Sequence, residues 1–453
     1  MDAAALGHPL LDLVRINTPG WRLEEGLCRD CALRFQKALE HLAHHYPRFA
    51  IGGQGILPTA LRLGASEDFL GRGVTVAFLD SGFYAHPDLV EPRSRILRYE
   101  DLTRRPFRRS DLARADDSSW HGMMTSVVAC GNGRLSGGLY RGLAPQARLV
   151  LVKVGTARRI VHDDIRRGLD WVVRHRRRYG IRIVNVSCGG DYEASYLEDA
   201  LSRSAERASL EGILVVAAAG NAGRSTGHAV LPPASAPSVL TVGGLDDQNR
   251  LAFAGYDMYH SSHGPTVDGL QKPEVIAPGI WVAAPILPDT PAAAHADWLS
   301  RLAVARDDEL PAMVQARTGL DPQLEAAAGL EPAALRRVVD ARLREANLIS
   351  PSYKHVDGTS FAAPIVSSLA AQILEAAPRL APRQVKRILI DTARRIPHVD
   401  ASRQGWGVVD APAAVARGLE LDAALGGNAG RPRGVKARRR SPRGKRDEAR
   451  EKE

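Results

Sequence analysis

The sequence predicts an α/β protein built on an open, mostly parallel sheet with helices on both faces. Three observations predict it. Short apolar runs without polar alternation recur along the chain, as expected of strands buried on both faces. Helical patterns lie between them, as in βαβ units. A chain of 453 residues, 44% hydrophobic and 25% charged, can fill one large core or two ordinary ones.

Residues 1–65 form an N-terminal extension, with one helix expected from about Leu27 to Tyr46 and then the glycine-rich connector IGGQG. The first strand is read in GVTVAFLD, ending at Asp80. Further strands are read in RLVLVKV ending at Val154, IRIVNVS ending at Ser187, ILVVAAAGN ending at Asn221 and VLTVGG ending at Gly244. Between Val154 and Ile181, the residues Ile165, Leu169, Val172 and Val173 share one face of a helix that Gly180 closes.

Residues 287–353 break this alternation. Trp298, Leu299 and Leu302 share one helical face, and Leu335, Val338, Val339 and Leu343 share a later one. The segment reads as a helical insertion into a main domain of residues 66–425. It is a lid, an oligomerisation element or a neutral surface addition. No internal repeat is found.

The net charge of +10 is spread unevenly. From Gly426 to Glu453 eleven Lys or Arg stand against four Asp or Glu, which leaves about +3 for the rest of the chain. With clusters of Gly, Pro and Arg and almost no large apolar residue, this tail is expected to be disordered. It is a solvated tail without a specific partner, or it touches nucleic acid or anionic lipid. No run approaches the roughly 18 to 20 apolar residues of a membrane span. The N-terminus lacks a basic stretch followed by an apolar one, so it does not read as a secretory signal. Four cysteines cannot form a disulfide scaffold, and the location expected from these features is cytoplasmic.

In parallel sheets of this kind, reactive groups gather at the carboxyl ends of the strands. The first strand ends in Asp80-Ser81-Gly82, followed by His86-Pro87-Asp88-Leu89. Trp120-His121-Gly122 opens a helix with Met124, Val127 and Val128 on its apolar face. Gly358-Thr359-Ser360-Phe361-Ala362-Ala363-Pro364 places Ser360 at the mouth of another helix, where free N–H groups face outward. Taken singly these residues read as a turn-forming Asp, a structural His and an N-cap Ser. Together they read differently. A serine hydroxyl needs a base to become a nucleophile, and an imidazole base needs a carboxylate to fix its tautomer.

In this order and on this scaffold, DSGFYAHPDL, WHGMMTSVVA and DGTSFAAP resemble the three triad motifs of the subtilase (subtilisin-like) serine peptidases. The resemblance covers roughly residues 70–420. It implies that Asp80 orients, His121 is the general base and Ser360 is the nucleophile. Ala217-Ala218-Ala219-Gly220-Asn221 resembles the family's oxyanion-hole segment, which implies that the Asn221 amide and the Ser360 N–H stabilise the oxyanion. Asn185-Val186-Ser187-Cys188-Gly189-Gly190 resembles the stretch that pairs with substrate as an added strand. Ser187, Cys188, Gly189, Ala218 and Gly220 are therefore the implied substrate-binding residues, and the implied partner is an extended polypeptide. The segments from Ser261 to Thr266, from Lys272 to Gly279 and from Gly405 to Ala411 are similar to further family landmarks.

The sequence also departs from the family. Met123-Met124-Thr125-Ser126-Val127 replaces the usual residues after His-Gly, Phe361 replaces a usual Met, and Cys188 replaces a common Leu. Cys188 is a packing residue or, if partly exposed, an oxidant-sensitive thiol. The insertion falls between the Ala-Pro-Gly landmark and Ser360.

The N-terminal extension does not clearly resemble the family's inhibitory propeptide. Its Cys28, Cys31, His41 and His44 are weak zinc candidates, because a second C-x-x-C is missing and the four share one apparently helical stretch. The chemistry requires no cofactor; the resemblance implies structural calcium, without assignable ligands. The resulting expectation is a serine endopeptidase. Its rivals are a pseudo-enzyme that only binds peptides in the groove and a protein that associates with nucleic acid through its tail.

Overall fold

The computed structural model describes residues 55–426 except 104–106, 226, 228, 252 and 254, together with residues 10, 14, 21, 22, 26–28, 32, 33, 35 and 36 of the N-terminal segment. The basic residues beyond Gly426 lie outside the described residues, as do Cys31, His41 and His44.

The central sheet contains β1 (Thr75–Asp80), β2 (Ile96–Asp101), β3 (Arg148–Lys153), β4 (Ile181–Val186), β5 (Leu214–Ala218), β6 (Leu240–Asp246), β7 (Asp257–Met258) and β8 (Val275–Pro278). Its spatial order is β2-β3-β1-β4-β5-β6-β7, with β8 also paired to β6. Every pairing is parallel except β6 with the two-residue β7. The expected open, mostly parallel sheet is borne out.

Successive side chains point to opposite faces, and here both faces are covered. Val76 and Phe78 of β1 join the core on one side, with α1 (Ser119–Cys130) and α8 (Thr359–Ala376). Ala77 and Leu79 join the core on the other, with α2 (His162–Tyr179) and α3 (Ala200–Leu210). The expected helical face Ile165, Leu169, Val172 and Val173 is buried in this second core, and α2 ends at Gly180.

Sequence reading missed β2 because ILRYED at the sheet edge is interrupted by charge. It also missed β9 (Val282–Pro285), β10 (Leu348–Ser350) and β11 (Tyr353–Val356). These form a separate three-stranded sheet in which β11 lies antiparallel between β9 and β10.

Between β9 and β10 the chain builds α4 (Pro291–Val304), α5 (Leu310–Gln315), α6 (Pro322–Ala327) and α7 (Pro332–Glu345). They share their own core of Trp298, Leu299, Leu302, Leu310, Val314, Leu324, Leu335 and Val339. Val338 and Leu343 are partly buried against it. After α8 the chain continues through α9 (Pro382–Asp391) and α10 (Ala411–Ala424). Leu10, Val14 and Phe35 of the N-terminal segment pack on Leu57 and Leu61. Among the described residues no helix is long and apolar enough to cross a membrane.

Candidate active site

Asp80 closes β1, the strand between β3 and β4, and is almost wholly buried. His121 lies in the first turn of α1. The two elements meet closely because residue 122 is glycine: a Cβ there would stand 2.1 Å from the Gly82 carbonyl oxygen and 2.9 Å from the Asp80 Cβ. His121 Nδ1 thereby reaches both Asp80 carboxylate oxygens, at 2.8 and 2.9 Å.

The Ser81 N–H donates to Asp80 Oδ1 at 2.8 Å, and the Thr125 hydroxyl approaches Oδ2 at 3.4 Å. Burial disfavours the charged imidazolium, but the Asp80 charge and hydrogen bond outweigh it, so the His121 pKa is raised above the ordinary histidine value. Trp120 and Phe361 flank the ring, with centroids 5.2 and 5.9 Å away. The unusual Met123 and Met124 are buried in the core.

Ser360 is placed by the start of α8. Gly358 precedes it with φ +138° and ψ 151°, a conformation essentially reserved for glycine. Pro364 sits inside the helix and has no N–H to donate to the carbonyl of Ser360, four residues earlier. That carbonyl instead accepts the Ser187 hydroxyl at 2.9 Å, while the Ser360 hydroxyl donates to the Ser187 carbonyl at 3.1 Å. This reciprocal pair fastens the start of α8 to the end of β4. The Ser360 hydroxyl is not hydrogen-bonded to His121 in this structure.

Asn221 follows β5. Its Oδ1 accepts the Thr359 N–H at 3.0 Å and the Thr359 hydroxyl at 3.0 Å. Since a backbone N–H can only donate, the amide orientation is fixed and Nδ2 is left outward. A Cβ built on Gly358 would lie 3.7 Å from Asn221 Nδ2 and 3.8 Å from the Ser360 nitrogen, so both donors border one small space. Neither donates to a protein group among the described residues. Ser262 holds the Gly220–Asn221 turn, its N–H reaching the Gly220 carbonyl at 2.8 Å and its hydroxyl accepting the Ala222 N–H at 3.1 Å. The Gly220 N–H donates to the Thr359 hydroxyl at 3.1 Å.

Ser187, Cys188 and Gly189 follow β4 outside the ladder, and Ala218 ends β5, which pairs with β4. Gly189 is exposed, Cys188, Ala218 and Gly220 are partly buried, and Ser187 is buried. Burial and the nearby Asp80 charge push the Cys188 thiol well above its usual pKa, and the side chain packs against the second core. These features favour the packing role.

Sequence reasoning quoted Thr359, Pro364 and Ser262 within motifs but gave them no role. Pro364 inside an otherwise helical pattern was the available signal, since such a proline frees a carbonyl for another donor.

Among the described residues no group of three or more His, Cys, Asp or Glu side chains gathers as a metal site. Of the four zinc candidates only Cys28 is described, and it is exposed.

Residues 71–407 match the profile described as "Subtilase family". The chain is 30% identical over 358 residues to "Serine protease AprX" of Bacillus subtilis, covering 76% of this chain and 66% of that protein. It is 32% identical over 190 residues to "Subtilisin BL" of Lederbergia lenta, covering 41% of this chain and 61% of that protein. The chain thus spans slightly under two thirds of the length of these relatives.

Fervidolysin from Fervidobacterium pennivorans, described as a keratinolytic enzyme related to subtilisin, superposes with a TM-score of 0.50 at 20% identity, covering 79% of this chain and 45% of that one. A protease from Pseudoalteromonas arctica superposes with a TM-score of 0.50 at 23% identity, covering 84% and 97%. These two likenesses concern the fold.

The relatives correct the cytoplasmic expectation. The subtilisins and alkaline proteases among them are secreted extracellular serine proteases, which is inconsistent with it. Scarcity of cysteine misled because a core of this size does not need disulfides to fold, so cysteine count carries little information about compartment.

Proposed function

The chain belongs to the subtilase family, and on that premise we propose that it is a serine endopeptidase whose candidate triad is Asp80, His121 and Ser360. Ser360 Oγ attacks the peptide carbonyl and His121 Nε2 takes its proton. Asp80, bound to Nδ1, holds the ring in the required tautomer and stabilises the imidazolium. The same proton then passes to the leaving amine, and water hydrolyses the acyl-enzyme by the reverse sequence of transfers. The Asn221 amide and the Ser360 N–H receive the negative charge on the carbonyl oxygen.

The substrate lies as an extended strand along Ser187–Gly189, with Ala218 and Gly220 on the opposite side. The observation that carries this reading is the contact of His121 Nδ1 with both Asp80 oxygens, at 2.8 and 2.9 Å, in a chain whose Ser360 and Asn221 are locked together through Thr359. The hydroxyl of Ser360 must rotate away from the Ser187 carbonyl for attack; such bonds commonly form only once substrate is bound.

The test is labelling with a fluorophosphonate probe beside peptide hydrolysis. Wild type is labelled at Ser360 and cleaves casein, and Ser360→Ala does neither. A folded wild-type protein that stays unlabelled and inactive would sink the reading. One observation favours the second reading, a peptide-binding groove without catalysis: the Ser360 hydroxyl is held by Ser187 at 3.1 Å and not by His121. Equal behaviour of wild type and Ser360→Ala would favour that alternative.

A further inference from the structure

The near-neutral total charge of the main domain conceals a strong local field. A groove of about 860 Å³ runs between β2 and α2, with α3 at its side. It belongs to the face of the sheet covered by α2 and α3, whereas α1 and α8, which carry His121 and Ser360, cover the other. Six arginines line it: Arg98 of β2, Arg166, Arg167, Arg174 and Arg178 of α2, and Arg207 of α3. Only Glu100 and Asp170 oppose them along the lining.

Internal pairing consumes part of this charge. Arg98 binds Glu100 at 2.7 Å, Arg166 binds Asp170 at 2.9 Å and Asp163 at 2.7 Å, and Arg167 binds Asp164 at 3.0 Å. Arg207 shares Asp170. Arg174 reaches only the Asp170 backbone carbonyl at 3.3 Å, and Arg178 lies over the Tyr179 ring at 5.4 Å. Both are exposed, and neither has a carboxylate partner among the described residues.

We propose that this groove docks an acidic stretch of polypeptide, through the guanidinium groups of Arg174 and Arg178 and the less fully paired arginines around them. Guanidinium forks match carboxylates in geometry as well as charge, and the groove already shows that pairing with Glu100 and Asp170. Nucleic acid is the less fitting occupant. Single strands are held by aromatic faces on which bases stack. Here Trp171 is only 5% exposed and is stacked on His175 at 4.1 Å, so its face is already covered.

The proposal does not depend on turnover and is tested with the full chain carrying Ser360→Ala. Binding of a fluorescein-labelled oligoglutamate peptide is followed by anisotropy at low salt. Adding Arg174→Glu and Arg178→Glu is expected to weaken it at least about tenfold, and raising the salt weakens it in the parent as well. An unchanged melting temperature shows that these exposed substitutions leave the fold intact.

The basic tail is tested separately with Arg438→Ala, Arg439→Ala and Arg440→Ala, which are expected to have a smaller effect. No peptide binding, equal binding by the groove variant, or loss in the tail variant alone overturns the proposal. A labelled oligothymidylate that binds more tightly than the peptide and depends on Arg174 and Arg178 overturns it in favour of nucleic acid.

Discussion

The Tyr353 hydroxyl donates to the Asp88 carboxylate at 2.5 Å, joining residues 265 positions apart. Both side chains are buried. Asp88 lies in the short helix Pro87–Val90, a few residues after Asp80. Tyr353 opens β11, the strand that delivers Gly358 and Ser360. The contact thus ties the carboxylate half of the candidate site to its serine half. Burial and the Asp88 charge push the Tyr353 phenol above its usual pKa, which keeps the donor proton in place.

Replacing this tyrosine isolates the hydroxyl. Tyr353→Phe keeps the ring but leaves a buried carboxylate oxygen without its donor, since the other oxygen accepts the Leu135 N–H at 3.2 Å. A loss of about 1 to 3 kcal/mol in unfolding free energy is expected from urea denaturation. A midpoint equal to wild type would show that the tie carries no energy.

The pH profile follows from the raised His121 pKa. In the proposed mechanism the imidazole must be neutral, so kcat/KM is expected to fall as pH drops through a value above that of ordinary histidine. Stability has the opposite sign: the pair's contribution is complete below the unfolded pKa and is lost as pH rises through the folded one. Asp80→Asn removes the cause of the shift and is expected to lower kcat by about 10⁴-fold. An acid limb at or below the ordinary histidine pKa in wild type contradicts this account.

Asn221→Ala should separate binding from chemistry. It removes one of the two proposed oxyanion donors, and kcat is expected to fall about 100- to 1000-fold with little change in KM. A loss confined to KM would place Asn221 in substrate binding.

Gly122→Ala tests the close approach of α1 to β1. The added Cβ would stand 2.1 Å from the Gly82 carbonyl oxygen, so backbone must move. The expected cost is about 3 kcal/mol or more in stability, with loss of fluorophosphonate labelling at Ser360. Wild-type melting and labelling would contradict the packing described.

Asp80, His121, Ser360 and Asn221 could be singled out from the sequence because each lies in a short motif at the end of a strand or the start of a helix. The strands through Phe78 and Val184 were legible because burial on both faces leaves uninterrupted apolar runs. β2 was not, because Arg98, Glu100 and Asp101 interrupt its pattern at the sheet edge. The short β9 and β11 depend on each other across the four helices between them, and pairing at that separation has no local signature.

The sequence by itself determined the parallel α/β sheet, the family and the chemical types gathered at the strand ends, since these follow from local apolar periodicity and contiguous motifs. Tertiary structure decided which groups meet. It gave the carbonyl freed by Pro364 to Ser187, set the Asn221 amide through Thr359, and tied Asp88 to Tyr353. It also brought arginines from β2, α2 and α3 to one groove, where a near-neutral total gave no hint of them. Charge and hydrogen bonding act through space over a few ångströms, and only folding determines which distant residues come within that range.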